Sequence, residues 1–387
     1  MTRTAFVSTY PPRHCGVARY THNLAAAIGG REIVALYAPD DPPPPPVEVH
    51  HRIRRDEPDD YARTARSLQT CADVVAIQHE FGIWGGEGGD SVLDFVAALD
   101  VPAIATLHSV LAEPDAQQRR VLTELVAAVD ATVVMSQSAR TLLQQVYGVD
   151  PRRVEVIAHG TPDLPLVDAA SVKPAVGMAG RDVILSFGLL RPEKGWETTI
   201  AALPAVVAAR PTAMYVMLGA THPDVLRRDG EAYRESLAAL AAKLGVSDHV
   251  LFVDRFVGRV ELTRWLEASD LVVVPGPDLS RSSNGTLAYA MAAGRPVVSL
   301  SSAHAAEVLA DGRGVLVPSG TPAALAAAIT DLLSDDEARV AIGRRAHEYS
   351  RPMTWWHVAA RYRTLLDRVV SGRVRARTST RGLAANA

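Results

Sequence analysis

The chain has 387 residues, 48% hydrophobic and 21% charged, which is typical of a globular protein long enough for two domains. Its formal net charge of −3 provides no basic field for nucleic acid, so we expect no nucleic-acid partner. Two cysteines cannot build a disulfide framework, and no run of about 20 apolar residues could span a membrane, so we expect a soluble, cytoplasmic protein.

The first part of the chain alternates short apolar runs with segments of helical periodicity. The apolar run before Tyr10 is predicted to be the first strand. Alternating strands and helices are typical of a parallel sheet covered on both faces. The prolines of Pro42–Pro46 indicate an exposed loop. The other predicted strands are Ala72–His79, Pro102–Leu107 and Ala131–Met135, and the predicted helices are Gln117–Val129 and Ser138–Tyr147.

A second series of the same kind begins at Asp182–Gly188. Its other predicted strands are Met214–Gly219, Val250–Val253, Leu271–Pro275 and Pro296–Leu300, and its predicted helices are Glu197–Ala209, Arg234–Leu244 and Ala323–Leu333. Prolines and glycines interrupt the pattern in Thr161–Gly180, where we place the domain boundary. The sequence thus predicts an α/β protein of two Rossmann-like, doubly wound domains, residues 1–170 and 175–350, facing across a cleft.

Arginines are frequent in the last residues of the chain, 372–387. Their charge and the lack of an apolar pattern predict a disordered tail. A peripheral contact of this tail with an anionic membrane stays open beside a simple solvated tail.

Candidate site residues follow several predicted strands, because ligands of open α/β sheets bind at the carboxyl ends of strands. Gly16 follows the first strand and opens a helix, where it lets an anion approach the helix N-terminus or simply serves a turn. His79 and His108 each end an apolar strand, where a histidine can act in acid–base chemistry or be a satisfied structural residue. Neither has His or Cys partners at a metal spacing, so we predict no metal site.

Arg191 and Lys194 follow the first strand of the second domain. Both could hold a diphosphate by charge-assisted hydrogen bonds, and the alternative is a solvated charged loop.

A helix predicted after Ser283 is the most informative part of the second domain. Its free backbone N–H groups would point at a bound phosphate, although capping by Asn284 explains part of the pattern. Farther along, Glu307 is a candidate for the cleft, with a surface glutamate as the alternative. The residues at the helix start are Asn284, Gly285, Thr286 and Leu287.

Together these segments resemble the retaining glycosyltransferases of family 4, which have the GT-B fold. The resemblance covers nearly the whole chain, and the order and spacing of its landmarks make it specific. The landmarks are Pro11–Val17, Thr106–His108, Val156–Gly160, Gly188–Gly195, Ala290–Val298 and Glu307–Val317.

The resemblance implies transfer of a hexose from a nucleoside diphosphate sugar, without metal or cofactor. The donor would be a GDP-sugar (mannose) or a UDP-sugar (glucose), and the acceptor a saccharide, a lipid or a small molecule. A helix over residues 352–371, beginning near Trp355 and Trp356, would cross back onto the first domain, although core packing explains these tryptophans equally well.

The same resemblance assigns roles to individual residues. His108 would contact the transferred sugar near the reacting carbon, and Lys194 would neutralise the diphosphate leaving group. Gly16 would approach the donor phosphates or the acceptor, and Glu307 joins His108 and Lys194 as a catalytic candidate. The backbone N–H groups of Gly285, Thr286 and Leu287 would hold the diphosphate.

Three positions depart from the family pattern. Arg281 and Tyr289 stand where the family usually carries two glutamates, which hold the donor sugar and the ribose. Leu189 replaces an arginine of the diphosphate loop, with Arg191 as a substitute two residues along. These changes indicate a divergent branch of the family.

Two other classes of protein remain as alternatives. The loss of both glutamates is compatible with a catalytically silent GT-B protein that binds a nucleotide sugar or a glycan. A nicotinamide-dependent oxidoreductase also has doubly wound domains, but no G-x-G-x-x-G follows the first strand here.

Overall fold

The computed structural model describes residues 2–30, 32–39, 41, 49–276 and 284–384, with residues 373–384 as backbone only. It divides into two compact units: the first runs to Gly160 and resumes at Trp355, and the second lies between Thr161 and Thr354. The dividing point adjoins the boundary segment expected from the sequence. The loop predicted at Pro42–Pro46 falls outside the described residues.

The first unit is a parallel sheet with helices on both faces. Its seven described strands have the order β3-β2-β1-β4-β5-β6-β7. Apolar side chains on both faces of the sheet are buried, which explains the near-continuous apolar runs of its central strands. The strands are β1 Thr4–Ser8, β2 Glu32–Tyr37, β3 His51–Arg54, β4 Val74–His79, β5 Ala103–Leu107, β6 Ala131–Val134 and β7 Val154–Val156. The helices are α1 Gly16–Ile28, α2 Pro58–Leu68, α3 Ser91–Ala97, α4 Ala116–Ala128 and α5 Gln137–Tyr147.

The second unit repeats this architecture. Its six described strands are all parallel and have the order β10-β9-β8-β11-β12-β13. The strands are β8 Asp182–Phe187, β9 Ala213–Leu218, β10 Val250–Val253, β11 Leu271–Val274, β12 Val297–Leu300 and β13 Val315–Val317. The helices are α6 Ala169–Val172, α7 Trp196–Ala209, α8 Pro223–Asp229, α9 Ala232–Lys243, α10 Arg259–Ala268, α11 Gly285–Ala292, α12 Ala303–Val308, α13 Pro322–Ser334 and α14 Asp336–Ser350.

Each sheet reverses its strand order once, between β1 and β4 in the first unit and between β8 and β11 in the second. Ligands of open α/β sheets bind outside the carboxyl ends of the strands at such a reversal. This doubly wound arrangement confirms the fold class predicted from the sequence. The sequence analysis did not predict β2, β3, β7 and β13. In β3 only Ile53 of the four residues is buried, so this strand has no apolar run.

The last helix, α15, spans Trp355–Ala384 and packs on the first unit. The hydroxyl of Tyr362 lies 3.0 Å from the hydroxyls of both Tyr20 in α1 and Thr106 in β5, and all three side chains are buried. The sequence predicted a disordered tail from residue 372, but the helix continues to Ala384. Arginine and alanine are good helix formers, and no proline interrupts the segment.

Gly160 packs directly against the ring of Trp355, the first residue of α15. A Cβ atom at this glycine would overlap the ring, so we expect Gly160→Ala to lower the free energy of unfolding by about 1–3 kcal/mol, the usual cost of overpacking. Urea denaturation followed by circular dichroism measures the effect. Gly82→Ala is the matched control, because a Cβ there meets open space. Equal stability of the two variants would show that this contact does not hold α15.

Candidate functional site

The strand reversal of the second unit is occupied by the turn that carries Lys194. Strand β8 ends at Phe187, and the next residue, Gly188, has a φ of +118°. A Cβ on Gly188 would lie only 2.6 Å from Lys194 Nζ, so the ammonium group stands directly over the backbone at the carboxyl end of β8. The backbone conformation at position 188 favours glycine, and the lack of a side chain there leaves room for the ammonium group of Lys194.

The Lys194 turn packs closely against the residues that follow β11, and a glycine on each side of this contact makes it possible. Gly195 has a φ of +63°, and a Cβ there would lie 2.9 Å from the carbonyl oxygen of Pro275, just after β11. A Cβ on Gly276 would lie 2.8 Å from the carbonyl oxygen of Lys194. Because neither glycine has a side chain, the turn seats against the end of β11, and Lys194 is placed between the two strands of the reversal.

The N-terminus of α11 reaches the same place. The hydroxyl of Thr286 faces the carbonyl oxygen of Phe187 at 3.5 Å, which brings the start of α11 beside the end of β8. Asn284 caps the helix, and its Oδ1 accepts hydrogen bonds from the N–H groups of Thr286 at 2.9 Å and Leu287 at 3.4 Å. The helix start and Lys194 therefore both lie at the carboxyl end of β8.

The capping bonds bear on two interpretations of the helix start. The sequence indicated that the N–H groups of Gly285, Thr286 and Leu287 would point at a phosphate, with capping by Asn284 as the explanation of part of the pattern. In the structure the last two bond to Asn284, because an asparagine at the N-cap position competes for these donors. The dipole of the helix still favours an anion at this end.

Two further candidates of the second unit are Arg191, next to the Lys194 turn, and Glu307, which lies farther along the sheet. Arg191, immediately before the Pro192–Lys194 turn, donates to the carboxylate of Glu193 at 3.3 Å. Glu307 lies in α12 after β12, the second strand beyond β8 in the sheet, and is partly buried. One turn before it, His304 is buried, and burial lowers its pKa to about 4.

Two of the three positions that depart from the family pattern are those where the family usually carries glutamates. Tyr289 is buried in the apolar core of the second unit, with 8% of its surface exposed. Its ring therefore serves packing at the place where the family carries a glutamate. Arg281 lies outside the described residues.

In the first unit, His108 is held by contacts on two sides. Its Nε2 lies 2.9 Å from Oε1 of Gln78 on the neighbouring strand β4, and its ring meets the ring of Tyr20 edge to face at 4.8 Å. Tyr20 is itself fixed by its hydrogen bond to Tyr362. The imidazole is buried with 8% exposure, so its orientation is set by the protein.

His79, the other histidine at a strand end, is an interior residue. It is completely buried, its ring meets that of Phe81 at 5.0 Å, and neither ring nitrogen has a hydrogen-bond partner in the described structure. Burial lowers the pKa of His79 to about 4. The ring is therefore neutral and closed to a substrate, which favours the structural interpretation for this histidine.

Gly16 begins α1 after the end of β1. It is exposed, a Cβ there would meet no atom within 4 Å, and no side chain caps the helix. The fold does not itself require glycine here, so the open space in front of the helix is available to a ligand.

Sequence reasoning missed the partners that orient these residues. Gln78 and Tyr20 position His108, and the hydroxyl of Ser109 donates to the carboxylate of Glu80 at 2.5 Å on the adjoining strand ends. These contacts follow from the pairing of β4 with β5, which places the residues after both strands side by side. A single sequence gives no direct register between strands.

The described residues also contain a group suited to a metal ion, away from these strand ends. One ligand atom from each of Glu32, His51 and Cys71 lies within 4.8 Å of the others. The prediction of no metal site considered the surroundings of His79 and His108, and did not anticipate a group assembled from three separate elements.

Both halves of the chain match known families. Residues 15–163 match the family model "Glycosyltransferase Family 4", and residues 181–335 match "Glycosyl transferases group 1". A D-inositol 3-phosphate glycosyltransferase of Kineococcus radiotolerans is 30% identical over 309 residues, 71% of this chain and 68% of the relative.

Solved structures resemble the whole chain. HepE of Anabaena, solved in complex with UDP, has a TM-score of 0.76 at 18% identity and covers 94% of this chain and 99% of its own. Sucrose-phosphate synthase from Thermosynechococcus elongatus has a TM-score of 0.77 at 18% identity and covers 96% of this chain and 100% of its own.

The two parallel α/β units and these similarities define a protein of the GT-B fold. The chain belongs to the group 1, family 4 glycosyltransferases, and it is a glycosyltransferase. None of the helices in the described part of the chain has the length and apolarity needed to cross a lipid bilayer.

The buried ring of His79 makes a prediction about stability in acid. Its folded pKa of about 4 lies below the ordinary value of about 6.5, so the unfolded chain takes up the proton first as the pH falls between these values. The contribution of His79 to stability is therefore complete above pH 6.5 and falls by up to about 3 kcal/mol toward pH 4, and this residue causes no further loss below that pH.

We expect His79→Leu to remove this loss from the unfolding free energy of the first unit, so that its decline between pH 7 and pH 4 becomes shallower than in the wild type. Urea titrations at several pH values measure the two curves. Parallel curves would show that the ring of His79 takes up a proton as readily in the folded chain as in the unfolded one.

Proposed function

We propose that the chain transfers a hexose from a nucleoside diphosphate sugar to an acceptor hydroxyl, with retention at the anomeric carbon and without a metal ion. The observation that carries the proposal is the position of Lys194 Nζ over Gly188, at the strand reversal and beside the start of α11. The proposal also draws on the family to which the chain belongs.

The leaving group of such a reaction is a nucleoside diphosphate, and its negative charge must be stabilised as the glycosidic bond breaks. Lys194 supplies a positive charge, and the N-terminus of α11 adds the partial positive charge of its dipole. The guanidinium group of Arg191 adds a second positive side chain next to the turn if it gives up its bond with Glu193. These groups take the place that a metal ion has in other transferases.

Transfer then requires no protein nucleophile. The acceptor oxygen bonds to the anomeric carbon on the face from which the diphosphate departs, and the bond from that carbon to the phosphate oxygen breaks. The acceptor proton passes to the departing phosphate oxygen. His108, oriented by Gln78 and Tyr20, contacts the sugar near the reacting carbon, and Glu307 contacts the donor. Gly16 leaves room at the start of α1 for the acceptor or a phosphate.

For the donor we propose a UDP-sugar, with GDP-mannose, which the family resemblance offers, as the alternative. The support is that HepE was solved with UDP and with UDP-glucose. For the acceptor we propose a small phosphorylated polyol, because the relatives in the sequence comparison include D-inositol 3-phosphate glycosyltransferases. A saccharide or lipid acceptor, the latter with peripheral membrane contact, would bind the same open side of α1.

We also propose that the chain represents a divergent branch of its family. Tyr289 is packed into the core, so no carboxylate at this position can hold a ribose. The same observation favours a second candidate function, a silent protein that binds a nucleotide sugar without transfer. Release of nucleoside diphosphate in a panel of donors and acceptors separates the two, because only the enzyme turns over.

Lys194→Ala tests the proposed diphosphate site. Removal of one charge-assisted hydrogen bond should weaken UDP binding about 10- to 100-fold and slow turnover, whereas Lys194→Arg should retain part of the affinity. Lys243→Ala, which removes an exposed lysine of the same unit at the end of α9, is the matched control. Titration calorimetry with UDP in EDTA measures the affinities.

His108→Ala is the complementary variant, since it should abolish most turnover and leave UDP binding nearly intact. If Lys194→Ala binds UDP as tightly as Lys243→Ala, the diphosphate lies elsewhere and the proposal fails.

A further inference from the structure

Three side chains that commonly bind metal ions meet at the amino-terminal edge of the first sheet. Glu32 begins β2, His51 begins β3 and Cys71 follows α2. His51 pairs in register with Val34, two residues after Glu32, so the glutamate and the histidine lie on the same face of the sheet. The backbone N–H of Cys71 donates to the carbonyl of Leu68 at 3.1 Å, which turns the cysteine toward this face at the end of α2.

We propose that Glu32, His51 and Cys71 bind one zinc ion, with the fourth coordination position open to solvent. A carboxylate, an imidazole and a thiolate together are a donor set suited to zinc, whereas magnesium and calcium take oxygen ligands only. The three side chains are partly buried, so solvent reaches the group and an ion can enter.

The distance between the cysteine and histidine ligand atoms fits this ion with little rearrangement, and rotation of the Glu32 side chain brings its carboxylate in from within 4.8 Å. Cys71 Sγ lies 3.8 Å from His51 Nε2, and all three ligand atoms lie within 4.8 Å of one another. A tetrahedral zinc ion, with bonds of about 2.3 Å to sulfur and about 2.0 Å to nitrogen, places these two atoms about 3.5 Å apart. Closing the gap takes a few tenths of an ångström, which side-chain rotation provides.

The histidine is also held in the form that a metal needs. Ser67 Oγ donates to the carbonyl of Thr64 at 2.7 Å, so it meets His51 Nδ1, 3.4 Å away, as an acceptor. Nδ1 of His51 therefore carries the hydrogen, and the lone pair of Nε2 points at Cys71. A metal-ligating histidine usually donates its other ring N–H in this way, which fixes the tautomer and the ring orientation.

This site is separate from the proposed transfer reaction. Strands β2 and β3 begin at it, so it lies at the edge of the sheet opposite to the carboxyl ends that carry His108 and the start of α1. The inference does not rest on the proposed function, and its test reads metal binding alone. Without an ion, Cys71 and His51 form a thiol–imidazole hydrogen bond, which is the competing explanation of the same geometry.

The test uses the full chain, stripped of metal with EDTA, dialysed and titrated with cobalt(II) as a spectroscopic probe for zinc. We expect one equivalent of cobalt to produce a near-ultraviolet sulfur-to-metal charge-transfer band, and zinc to displace it. Cys71→Ser should lose the band, and His51→Gln and Glu32→Gln should each weaken cobalt binding at least about 10-fold. Cys15→Ser removes the other cysteine and is the matched control that should keep the band.

Circular dichroism establishes that each variant is folded, and the two glutamine variants carry the test if Cys71→Ser does not fold. A wild-type chain without the band overturns the proposal. So does a band that survives in Cys71→Ser or disappears in Cys15→Ser. Unchanged cobalt affinity in both His51→Gln and Glu32→Gln also overturns it, because the thiol would then bind the ion without these two side chains.

Discussion

The proposed donor site depends on the close seating of one turn between two strand ends. Gly195 and Gly276 lack side chains at the point where the turn meets the end of β11, and Gly188 leaves room for the ammonium group of Lys194. A larger residue at any of these positions would push the lysine away from the strand reversal. The start of α11, joined to the end of β8 through Thr286, brings a helix dipole to the same point. Backbone geometry therefore concentrates positive charge where open α/β sheets bind ligands.

In the first unit, a set of buried polar and aromatic contacts positions the candidate residue His108. Tyr362 of α15 bonds to Tyr20, and the ring of Tyr20 meets the ring of His108, so the last helix of the chain helps to orient a histidine at the end of β5. Gly160, packed under Trp355, allows the start of α15 to dock. The Val156–Gly160 landmark that carries part of the family resemblance thus has a packing role in the structure.

The fold could be predicted from the sequence because its strands are buried on both faces and appear as apolar runs separated by helical periodicity. That Lys194 and the start of α11 lie at the carboxyl ends of strands could also be predicted, since both follow strands of one sheet. The sequence left open whether Asn284 caps the helix or leaves its N–H groups to a phosphate. It also could not show that His79 is completely buried whereas His108 keeps 8% exposure, because tertiary contacts decide this. Nor could it bring Glu32, His51 and Cys71 together, because strand β3 carries no apolar pattern and its register on β2 is set by the fold.

We propose that the second unit binds a nucleoside diphosphate at the Lys194 turn without a metal ion. A crystal structure of the full chain grown with UDP in the presence of EDTA tests it most directly. We expect diphosphate oxygens about 3 Å from Lys194 Nζ, next to Gly188 and the N–H of Gly285. Diphosphate density away from Lys194, or density that appears only when magnesium replaces EDTA, would contradict it.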